Sequence, residues 1–453
     1  MSVLEGAASG LQRPAGSRPY KKIVVTTFGS YGDLHPYMAM GVELRRRGHD
    51  VLIAASEAYR EKVVSAGLGF EPVRPDLPGH ENSQVFKEIM ETRTGTEYLL
   101  RRVILPHLGE SYEDLSRAVE GADVLISHPT TFAASIVAEA QGIPWVSTVL
   151  APLSFLSVYD TLAIAQAPGY RRVRRLGPGI LGILKSIARQ HCIHWFDPVF
   201  RLRAELGLPP PPGNPIFEGQ HSPGLVLALF SEVMGAAQRD WPRQTLVTGF
   251  PFLAPEQEPV LEAGLTRFLE DGKPPIVFTL GTLAVRDPRA FYTESASAAA
   301  RLGRRAVLLV GSGEVNRPLL DGVGLPAGVK AFDYAPYSAL FPKACAVVHQ
   351  GGIGTTAQAL RSGRPMLLVP HAHDQPDNAA RAVRLGAARE ISRSDYKSAR
   401  VAEELSILLN DPSYSTAAEA AQQRVLQEDG VSSACGSIEE LIGAGAGSVG
   451  SIA

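Results

Sequence analysis

The segment CAVVHQGGIGTTAQALRSGRPMLLVPHAHDQPDN, residues 345–378, decides the fold class of this chain. It contains an apolar run (345–349), a glycine-rich turn, a helix-length stretch opened by Thr355 and Thr356, and a second apolar run (365–370). Uninterrupted apolar runs of this length are typical of parallel strands that are covered on both faces. A strand, a helix and a further strand in this order predict a βαβ unit.

The same alternation extends outward from this segment in two blocks. Further strands are predicted at residues 23–28, 51–55, 123–127, 145–149 and 224–230 in the first block, and at 275–280 and 306–310 in the second. A stretch rich in Pro and Gly, without a sustained period, separates the blocks and is interpreted as a hinge. The pattern predicts an α/β protein of two doubly wound, Rossmann-like domains that face each other across a cleft.

The predicted organisation has five parts. We expect a disordered leader at 1–20, a first domain at 21–240, a linker at 241–260, a second domain at 261–430, and a C-terminal helix with a flexible tail at 431–453. The length of 453 residues fits two domains of similar size. The leader lacks the apolar run of a signal peptide, and no stretch approaches the ~20 apolar residues of a membrane span.

Composition excludes several function classes. The 44 Lys and Arg residues against 46 Asp and Glu give a net charge of -2, which argues against a nucleic-acid-binding protein. The 3 cysteines lie far apart, so neither a disulfide framework nor a zinc site is expected, and a cytoplasmic location is predicted. No Asp-x-Asp triplet occurs, and His371 and His373 have no third partner nearby, so no metal or cofactor is predicted.

The glycine turn is the first candidate binding site. Gly351, Gly352 and Gly354 lie between a strand and a helix, where free amides and the helix dipole favour a phosphate. His349, at the end of the strand, is expected to donate a hydrogen bond to the same diphosphate. Glycines also serve tight turns for steric reasons alone. The spacing does not match G-x-G-x-x-G, which disfavours a dinucleotide site and a hydride-transfer enzyme.

Polar residues that follow other strands supply further candidates. Asp374 and Gln375 come after the strand at 365–370, where a carboxylate and an amide can bind vicinal sugar hydroxyls; Asp374 is alternatively the N-cap of the next helix. Thr282 follows the strand at 275–280, and a capping role and a phosphate contact are weighed equally.

Asp33, in the turn GSYGDLHP after the first strand, is the candidate general base. A hydroxyl that acts as a nucleophile needs a group that takes its proton. A carboxylate with the ordinary pKa of ~3.9 is a weak base, so we expect burial to raise the pKa of Asp33. Helix capping is the alternative role. His35 is a rival base, interpreted here as a helix-start residue.

These motifs resemble the donor-binding signature of glycosyltransferase family one, which runs from an aromatic-x-Pro start through His-x-Gly-Gly to Asp-Gln. The bacterial branch, with its HHGGAGTT-like loop, is the most similar, and phrases such as RDWP, TGFPF and VFTLGT resemble rhamnolipid rhamnosyltransferases and, less closely, antibiotic and sterol glucosyltransferases. The resemblance covers most of the chain and implies the two-domain GT-B fold.

The resemblance assigns roles to individual residues. It implies that Tyr334 lies beside or over the nucleotide base, with Tyr337 nearby, and that His349 contacts the diphosphate. It places the Gly354 and Thr355 amides on the phosphate, and Asp374 and Gln375 on the sugar. Asp33 matches the base position, at which plant members carry His. The full set of predicted donor residues is Thr282, Tyr334, Tyr337, His349, Gly351, Gly352, Gly354, Thr355, Asp374 and Gln375.

Two departures from the plant pattern matter. Tyr334 and Tyr337 stand where plant members have Trp and Gln, which leaves uracil and thymine open as the base. Ser127 and His128 stand where the plant carboxylate orients the base histidine. His128 either hydrogen-bonds Asp33 or is an ordinary residue at a strand end.

The sequence therefore predicts an inverting, metal-independent glycosyltransferase that moves a hexose, with UDP-glucose favoured, to a hydroxyl of a small apolar acceptor such as a phenolic natural product. The alternatives are a dTDP-rhamnose-dependent enzyme acting on a hydroxy-fatty-acid lipid and, from another class, a non-catalytic sugar-nucleotide-binding module. Asp33 together with the complete donor signature favours the enzyme.

Acceptor contacts are expected from residues 76–112 and 151–200. The candidate acceptor residues are His128, Trp145, Phe155 and Tyr159, with Trp195 and Phe196 as further apolar side chains of the first domain. The segment RRVRRLGPGILGILKSIARQHCIHWF, residues 171–196, combines basic residues with an apolar run. It is consistent with a membrane-surface helix, so membrane contact is allowed but not required, and the more usual alternative of a core-packed helix is favoured.

Overall fold

Two parallel sheets form the centre of the molecule. The computed structural model describes residues 20–76, 83–167, 169–254, 260–281, 284–286, 288, 290–311 and 324–447. The first sheet contains β1 (Lys22–Thr26), β2 (Asp50–Ala55), β3 (Gly69–Pro72), β4 (Val124–Ser127), β5 (Trp145–Val149), β6 (Leu225–Ala228) and β7 (Thr245–Val247). The second contains β8 (Ile276–Thr279), β9 (Ala306–Leu309), β10 (Val329–Phe332), β11 (Ala346–His349), β12 (Met366–Leu368) and β13 (Ala388–Glu390).

The strand order makes both domains doubly wound. The first sheet runs β3-β2-β1-β4-β5-β6-β7 and the second β10-β9-β8-β11-β12-β13. All neighbours are parallel; Ile23, for example, pairs with Val51 on one side and Val124 on the other. The inner strands are buried on both faces because helices cover each sheet. The predicted pair of Rossmann-like domains with a cleft is confirmed.

Helices connect the strands. In the first domain these are α1 (Tyr31–Arg46), α2 (Arg60–Ser65), α3 (Ser83–Ile89), α4 (Gly95–Tyr98), α5 (Leu108–Ala118), α6 (Ala133–Gln141), α7 (Tyr170–Val173), α8 (Pro178–Cys192) and α9 (Asp197–Glu205). The second domain has α10 (Ala263–Glu270), α11 (Phe291–Arg301), α12 (Tyr337–Leu340), α13 (Ile353–Ser362), α14 (Gln375–Arg384), α15 (Ser398–Asn410) and α16 (Pro412–Gln427). None of the helices in the described ranges is long and apolar enough to cross a membrane.

The C-terminal helix α17 (Gly430–Gly447) returns to the first domain. Its buried residues Cys435 and Ile438 belong to the same apolar cluster as Leu44 of α1. The Glu439 carboxylate accepts hydrogen bonds from Arg47 at 2.9 Å and lies 3.1 Å from the His49 ring. The chain therefore crosses between the domains twice.

Three sequence expectations need adjustment. The segment predicted as a linker contains β7, which pairs with β6 at the edge of the first sheet. Helix α8 was expected to be packed in the core, but several of its large apolar side chains are exposed. The predicted leader, apart from Tyr20, and the end of the predicted tail lie outside the described residues.

The two switch points of strand order determine where a ligand can bind. In the first sheet the chain reverses direction of winding at β1 and β4, and in the second at β8 and β11. Loops that leave neighbouring strands at such a point diverge to opposite faces, so a crevice opens at the carboxyl ends of the strands. Asp33 and His128 follow β1 and β4, whereas Gly281 and the glycine turn follow β8 and β11.

Candidate active site

A single large cleft lies where the two crevices meet. Its volume is about 2030 Å³, and residues from both domains line it, including Asp33, His128, Gly354 and Asp374. Pockets for one drug-sized ligand occupy roughly 300–1,000 Å³, so this cleft has room for two substrates. The domains touch at its centre, because a Cβ atom on Gly354 would lie 3.6 Å from Gly32 Cα.

Asp33 uses its two carboxylate oxygens differently. Ser30 is the N-cap of α1 and Asp33 is its third residue, and together they form a capping box. Oδ2 of Asp33 accepts hydrogen bonds from the Ser30 amide at 2.6 Å and the Ser30 hydroxyl at 3.0 Å. Oδ1 lies 3.5 Å from His128 Nε2. The capping alternative is therefore correct for one oxygen, while the other faces a histidine.

The hydrogen bonds of His128 orient its ring toward Asp33. Its Nδ1 accepts a hydrogen bond from the Thr130 amide at 3.2 Å and lies 2.7 Å from the Thr130 hydroxyl. In the neutral ring the proton is consequently on Nε2, the nitrogen that faces Asp33. The sequence alternative in which His128 pairs with Asp33 fits this geometry. The pair comes from two chain segments that parallel strands bring together.

The pKa of Asp33 moves in the direction opposite to our expectation. Burial raises the pKa of Asp33. The hydrogen bond and charge of His128, together with the hydrogen bonds of Ser30, lower it by more than burial raises it, so the net pKa is below the ordinary value. Asp33 is thus ionised at neutral pH and ready to accept a proton, although as a weaker base than expected. His35 also lines the cleft, and burial lowers its pKa to about 4, which keeps it neutral and open as the rival base.

The glycine turn forms a cradle at the N-terminus of α13. Gly352 is the N-cap, and the Thr356 amide bonds back to the Gly352 carbonyl at 2.9 Å. The amides of the three preceding residues, Ile353 to Thr355, have no partner in the preceding turn of this helix, and these residues line the cleft. Gly351 has a φ of 86°, which favours glycine. This arrangement suits an anion such as a phosphate.

His349 lies beneath this cradle. Its ring is fully buried and is not among the side chains that line the cleft in the described ranges. Nδ1 accepts a hydrogen bond from the Gly351 amide at 3.1 Å, and burial lowers the pKa to about 3, so the ring is neutral with its proton on Nε2. That Nε2 is buried and has no hydrogen-bond partner among the described residues. His349 therefore supports the turn through its Nδ1, while the diphosphate contact predicted for it stays a prediction.

The sequence analysis did not identify Gln350, which lines the cleft next to the glycine turn. Its amide nitrogen would lie 2.2 Å from a Cβ on Gly281 and 2.8 Å from one on Gly352, so both glycines make room for it. Its Oε1 is buried without a hydrogen-bond partner among the described residues. In the sequence, the glycines at positions 281 and 352, which leave this space open, were the only feature that could have indicated the role of Gln350.

Asp374 and Gln375 both line the cleft but differ in what they do. Asn378 donates to Asp374 Oδ2 at 2.7 Å and to the Gly351 carbonyl at 3.0 Å, which ties Asp374 to the cradle. Asp374 is the N-cap of α14 by position, yet its side chain makes no capping hydrogen bond. Gln375 Oε1 accepts from the His371 amide at 2.9 Å and so closes the loop. Burial, the nearby Asp33 charge and Asp377 raise the pKa of Asp374 to about 7.

Tyr334 and Tyr337 line the cleft on the side of the second domain. Tyr334 lines the cleft with 75% of its surface exposed, so its ring is accessible for stacking with an aromatic group. Tyr337 stacks on Phe341 at 4.4 Å between ring centroids, and its hydroxyl lies 2.9 Å from that of Thr279. Thr282, also predicted to contact the donor, lies outside the described residues.

His373 links the two domains at the cleft, a role that the sequence analysis, which considered it only as a metal ligand, did not predict. Its Nδ1 lies 3.0 Å from the Thr96 hydroxyl of the first domain, and the negative charge of Asp33 acts on its pKa, which burial nevertheless lowers to about 4. It is one of two described non-glycine residues with a left-handed backbone, at φ 57°. Such strain is concentrated at functional sites.

Of the residues predicted to contact the acceptor, His128 and Trp195 line the cleft, whereas Trp145, Phe155 and Tyr159 are not among the lining residues in the described ranges. Trp145 donates its indole N–H to the Ser127 hydroxyl at 2.8 Å and borders a second cavity instead. Phe155 stacks on Trp241 at 4.0 Å within the core, and Tyr159 is 47% exposed. The expected regions line the cleft mainly with aliphatic side chains, together with the aromatic residues Tyr170 and Trp195. The aliphatic set includes Ile89, Met90, Leu100, Leu153, Leu156, Val158, Ile164 and Leu181.

Within the described ranges, no group of three His, Cys, Asp or Glu side chains is arranged to hold a metal ion.

Comparison with known sequences agrees with this two-part site. Residues 23–159 match the glycosyltransferase family 28 N-terminal domain, and residues 308–440 match the C-terminal domain of the family described as erythromycin biosynthesis protein CIII-like. The first match contains Asp33 and His128, and the second contains the glycine cradle and Asp374.

Two characterised relatives cover most of this chain. O-mycaminosyltylonolide 6-deoxyallosyltransferase of Streptomyces fradiae is 34% identical over 429 residues, which are 92% of this chain and 97% of that protein. A sterol 3-beta-glucosyltransferase of Arabidopsis thaliana is 29% identical over 443 residues, 92% of this chain and 65% of that protein.

Solved structures share the fold. The calicheamicin glycosyltransferase CalG4 superimposes with a TM-score of 0.70 at 16% identity, over 94% of this chain and 99% of its own. The glycosyltransferase VinC, solved with dTDP, gives a TM-score of 0.65 at 24% identity, over 93% and 99%. Given the identity to the Streptomyces fradiae enzyme over nearly the whole of both chains, this chain belongs to the family-one glycosyltransferases with the GT-B fold.

Proposed function

We propose that this glycosyltransferase is inverting and metal-independent, and that it moves a hexose from a nucleotide-diphosphate donor to a hydroxyl of an apolar acceptor. The observation that carries the proposal is the contact of the two half-sites. The turn that bears Asp33 meets the glycine cradle at Gly32 and Gly354, so a base and a phosphate site face one cleft.

The chemistry follows from this arrangement. The ionised Asp33 takes the proton of the acceptor hydroxyl as its oxygen forms a bond to the anomeric carbon. The bond from that carbon to the diphosphate oxygen breaks on the opposite side, which inverts the configuration. The amides of Ile353, Gly354 and Thr355 meet the charge that develops on the leaving diphosphate, a preorganised electrostatic contribution. His349 supports the cradle from below.

For the donor, we propose a dTDP-activated deoxyhexose ahead of the UDP-glucose that the sequence favoured. The name of the Streptomyces fradiae relative specifies a deoxyallosyl group, and two similar structures contain dTDP or thymidine diphosphate. Asp374, with a pKa near 7, can present a protonated oxygen to a sugar hydroxyl. A rhamnosyl donor falls within this class, so the rhamnosyltransferase alternative is included.

For the acceptor, we propose a bulky apolar molecule such as a polyketide or sterol alcohol. The volume of about 2030 Å³ and the aliphatic lining of the first domain support an acceptor larger than a simple phenol. Burial of apolar surface contributes ~25 cal/mol per Å², with few fixed polar contacts. The relatives that act on O-mycaminosyltylonolide and on a sterol agree in acceptor character.

The test is a panel of donors and acceptors with mass detection of products. UDP-glucose, dTDP-glucose and dTDP-rhamnose are each paired with macrolide aglycones, sterols, hydroxy fatty acids, phenols and simple sugars. We expect transfer from dTDP sugars to the large apolar alcohols, and product NMR should give the inverted anomer. Donor binding without any transfer would favour the non-catalytic alternative, and preference for a free sugar would overturn the apolar acceptor.

Metal independence has its own test. The proposed mechanism assigns the diphosphate charge to backbone amides, so exhaustive EDTA treatment should leave turnover within about twofold of the untreated enzyme. Loss of turnover that added Mg²⁺ or Mn²⁺ restores would refute this part of the proposal.

A further inference from the structure

Helix α8 exposes an apolar stripe to solvent. Ile180, Ile183, Leu184 and Ile187 follow the spacing i, i+3, i+4, i+7 of one helix face, and their side chains are 42%, 59%, 39% and 60% exposed. Leu176, just before the helix, is 65% exposed. An apolar helix face of this kind normally packs in the core, which is why the sequence favoured that position. Exposed contiguous apolar surface marks an interaction site.

The same helix borders the cleft. Leu184 of the stripe lines the cleft together with Leu181, Lys185 and Ala188, so the exposed stripe and the cleft lining are adjacent on the helix surface. The remaining stripe residues, Ile180, Ile183 and Ile187, are not among the residues that line the cleft in the described ranges.

The segment around this helix is strongly basic. Between Asp160 and Asp197 the chain contains no acidic residue, and it contains the basic residues Arg171, Arg172, Arg174, Arg175, Lys185 and Arg189, in a protein with a net charge of -2. Arg171 pairs with Glu390 and Arg189 with Glu218. In the part of the chain that the structure describes, Arg172, Arg174 and Arg175 have no ion-pair partner.

We propose that the apolar stripe of Ile180, Ile183 and Ile187, with Leu176 and the three unpaired arginines that directly precede it in the chain, binds an anionic lipid bilayer. Aliphatic side chains would enter the acyl boundary while the arginines contact lipid phosphates, as in interfacial amphipathic helices. A second copy of this chain fits less well, because a twofold interface would bring the same arginines of both copies together. The proposal does not depend on the reaction proposed above.

Binding to lipid vesicles tests the proposal with the full-length protein. We expect cosedimentation with vesicles of phosphatidylglycerol and phosphatidylcholine in equal parts, and much weaker binding to phosphatidylcholine alone. The Ile183→Ser, Ile187→Ser double variant should bind the anionic vesicles at least about tenfold more weakly. Arg172→Gln, Arg174→Gln and Arg175→Gln should each reduce that binding about fivefold, with little change on neutral vesicles.

A matched control comes from the second domain. Ile407→Ser with Leu426→Ser removes two exposed apolar side chains, at 39% and 54% exposure, from helices α15 and α16 of the second domain, and vesicle binding should not change. The Ile183, Ile187 variant should keep the thermal stability and the detergent-free turnover of the parent, since neither side chain lines the cleft.

Three results would overturn the proposal: no cosedimentation with anionic vesicles, equal binding by the Ile183, Ile187 variant, or a dimer in lipid-free buffer that this variant dissociates. The last result would assign the surface to a second copy of the chain.

Discussion

Asp33 on one wall of the cleft and Asp374 on the other are both carboxylates, and the protein shifts their pKa values in opposite directions. Both side chains are half-buried, and burial raises both pKa values. At Asp33, the effects of His128 and Ser30 outweigh that of burial and lower the net pKa. Asp374 accepts a hydrogen bond from Asn378, but burial and the nearby charge of Asp33 raise its pKa to about 7.

The difference lies in the hydrogen-bond donors that each wall supplies. The first wall keeps its carboxylate ionised, as a proton acceptor requires. The second allows its carboxyl group to carry a proton near neutral pH, so that it can donate to a sugar hydroxyl. Separated pKa values of this kind are how one site holds two carboxyl groups in different roles. The predictions below test this division.

Asp33→Asn should have the largest effect. Turnover should fall by ~10²–10⁴, because the variant cannot accept the acceptor proton, while donor affinity stays nearly intact because the donor binds the other wall. Kinetics and calorimetry measure the two quantities separately. As a control, Ser30→Ala disrupts the same capping box and should cost about 1 kcal/mol of stability, with a turnover loss below tenfold. Parent-level turnover in Asp33→Asn would remove Asp33 from the base position and favour His35.

His349→Ala should weaken donor binding by roughly 10–100-fold, the size of a lost buried hydrogen bond near a charge. The Gly351 amide loses its acceptor, so the cradle is no longer held in shape. Calorimetry with dTDP and with thymidine separates the causes: the variant should lose affinity for the diphosphate and keep that for the nucleoside. Equal losses for both would mean that the second domain is damaged generally.

His128→Ala should lower turnover by about tenfold and move the acid limb of the pH profile upward. His128 lowers the pKa of Asp33, so its removal lets burial raise that pKa, and protonation of Asp33 begins at higher pH. The pH dependence of kcat/KM is the measurement. His128→Gln, which retains a donor without a charge, should give a smaller displacement. An unchanged acid limb in both variants would show that the 3.5 Å contact has no influence on Asp33.

The smallest effect is expected in stability. Because the folded-state pKa of Asp374 is raised from 3.8 to about 7, its ionisation favours the unfolded chain progressively across that pH range. Asp374→Asn should therefore gain stability over the parent as pH rises from about 4 to about 7, with a Tm difference of about 2–4 °C above that range. Asp33, whose pKa is lowered, stabilises the folded protein above its ordinary pKa and loses this contribution in acid. Its Asn variant should therefore show no such gain.

The strands that the sequence analysis predicted and those that it did not predict differ in their position within the sheets. Every inner strand was predicted, whereas β3, β7, β10 and β13 were not, and these are the four edge strands of the two sheets. Inner strands are buried on both faces and read as continuous apolar runs, as in β8 and β11. Edge strands are shorter or partly exposed, so β7 was hidden inside a segment that resembled a linker.

The candidate site shows the same limit. Glycine spacing and residue type were enough to place the glycine turn, Asp33 and Asp374 at strand ends, the position at which ligands bind in such a fold, and all three line the cleft. The roles of Gln350 and His373 could not be predicted from the sequence. Gln350 depends on space left by Gly281, which is far away in sequence, and His373 depends on Thr96 of the other domain.

The sequence by itself determined the two doubly wound domains, the glycine turn before α13 and the presence of Asp33 and Asp374 in strand-end turns, because these depend on short-range periodicity and turn chemistry. Only the tertiary structure decided that the pKa of Asp33 is lowered, that His349 is buried beneath the cradle, and that α8 exposes its apolar stripe. Each of these depends on burial or on a partner distant in the chain, such as His128 for Asp33. The free energy of a charged or apolar group is set by what surrounds it, which a local pattern does not contain.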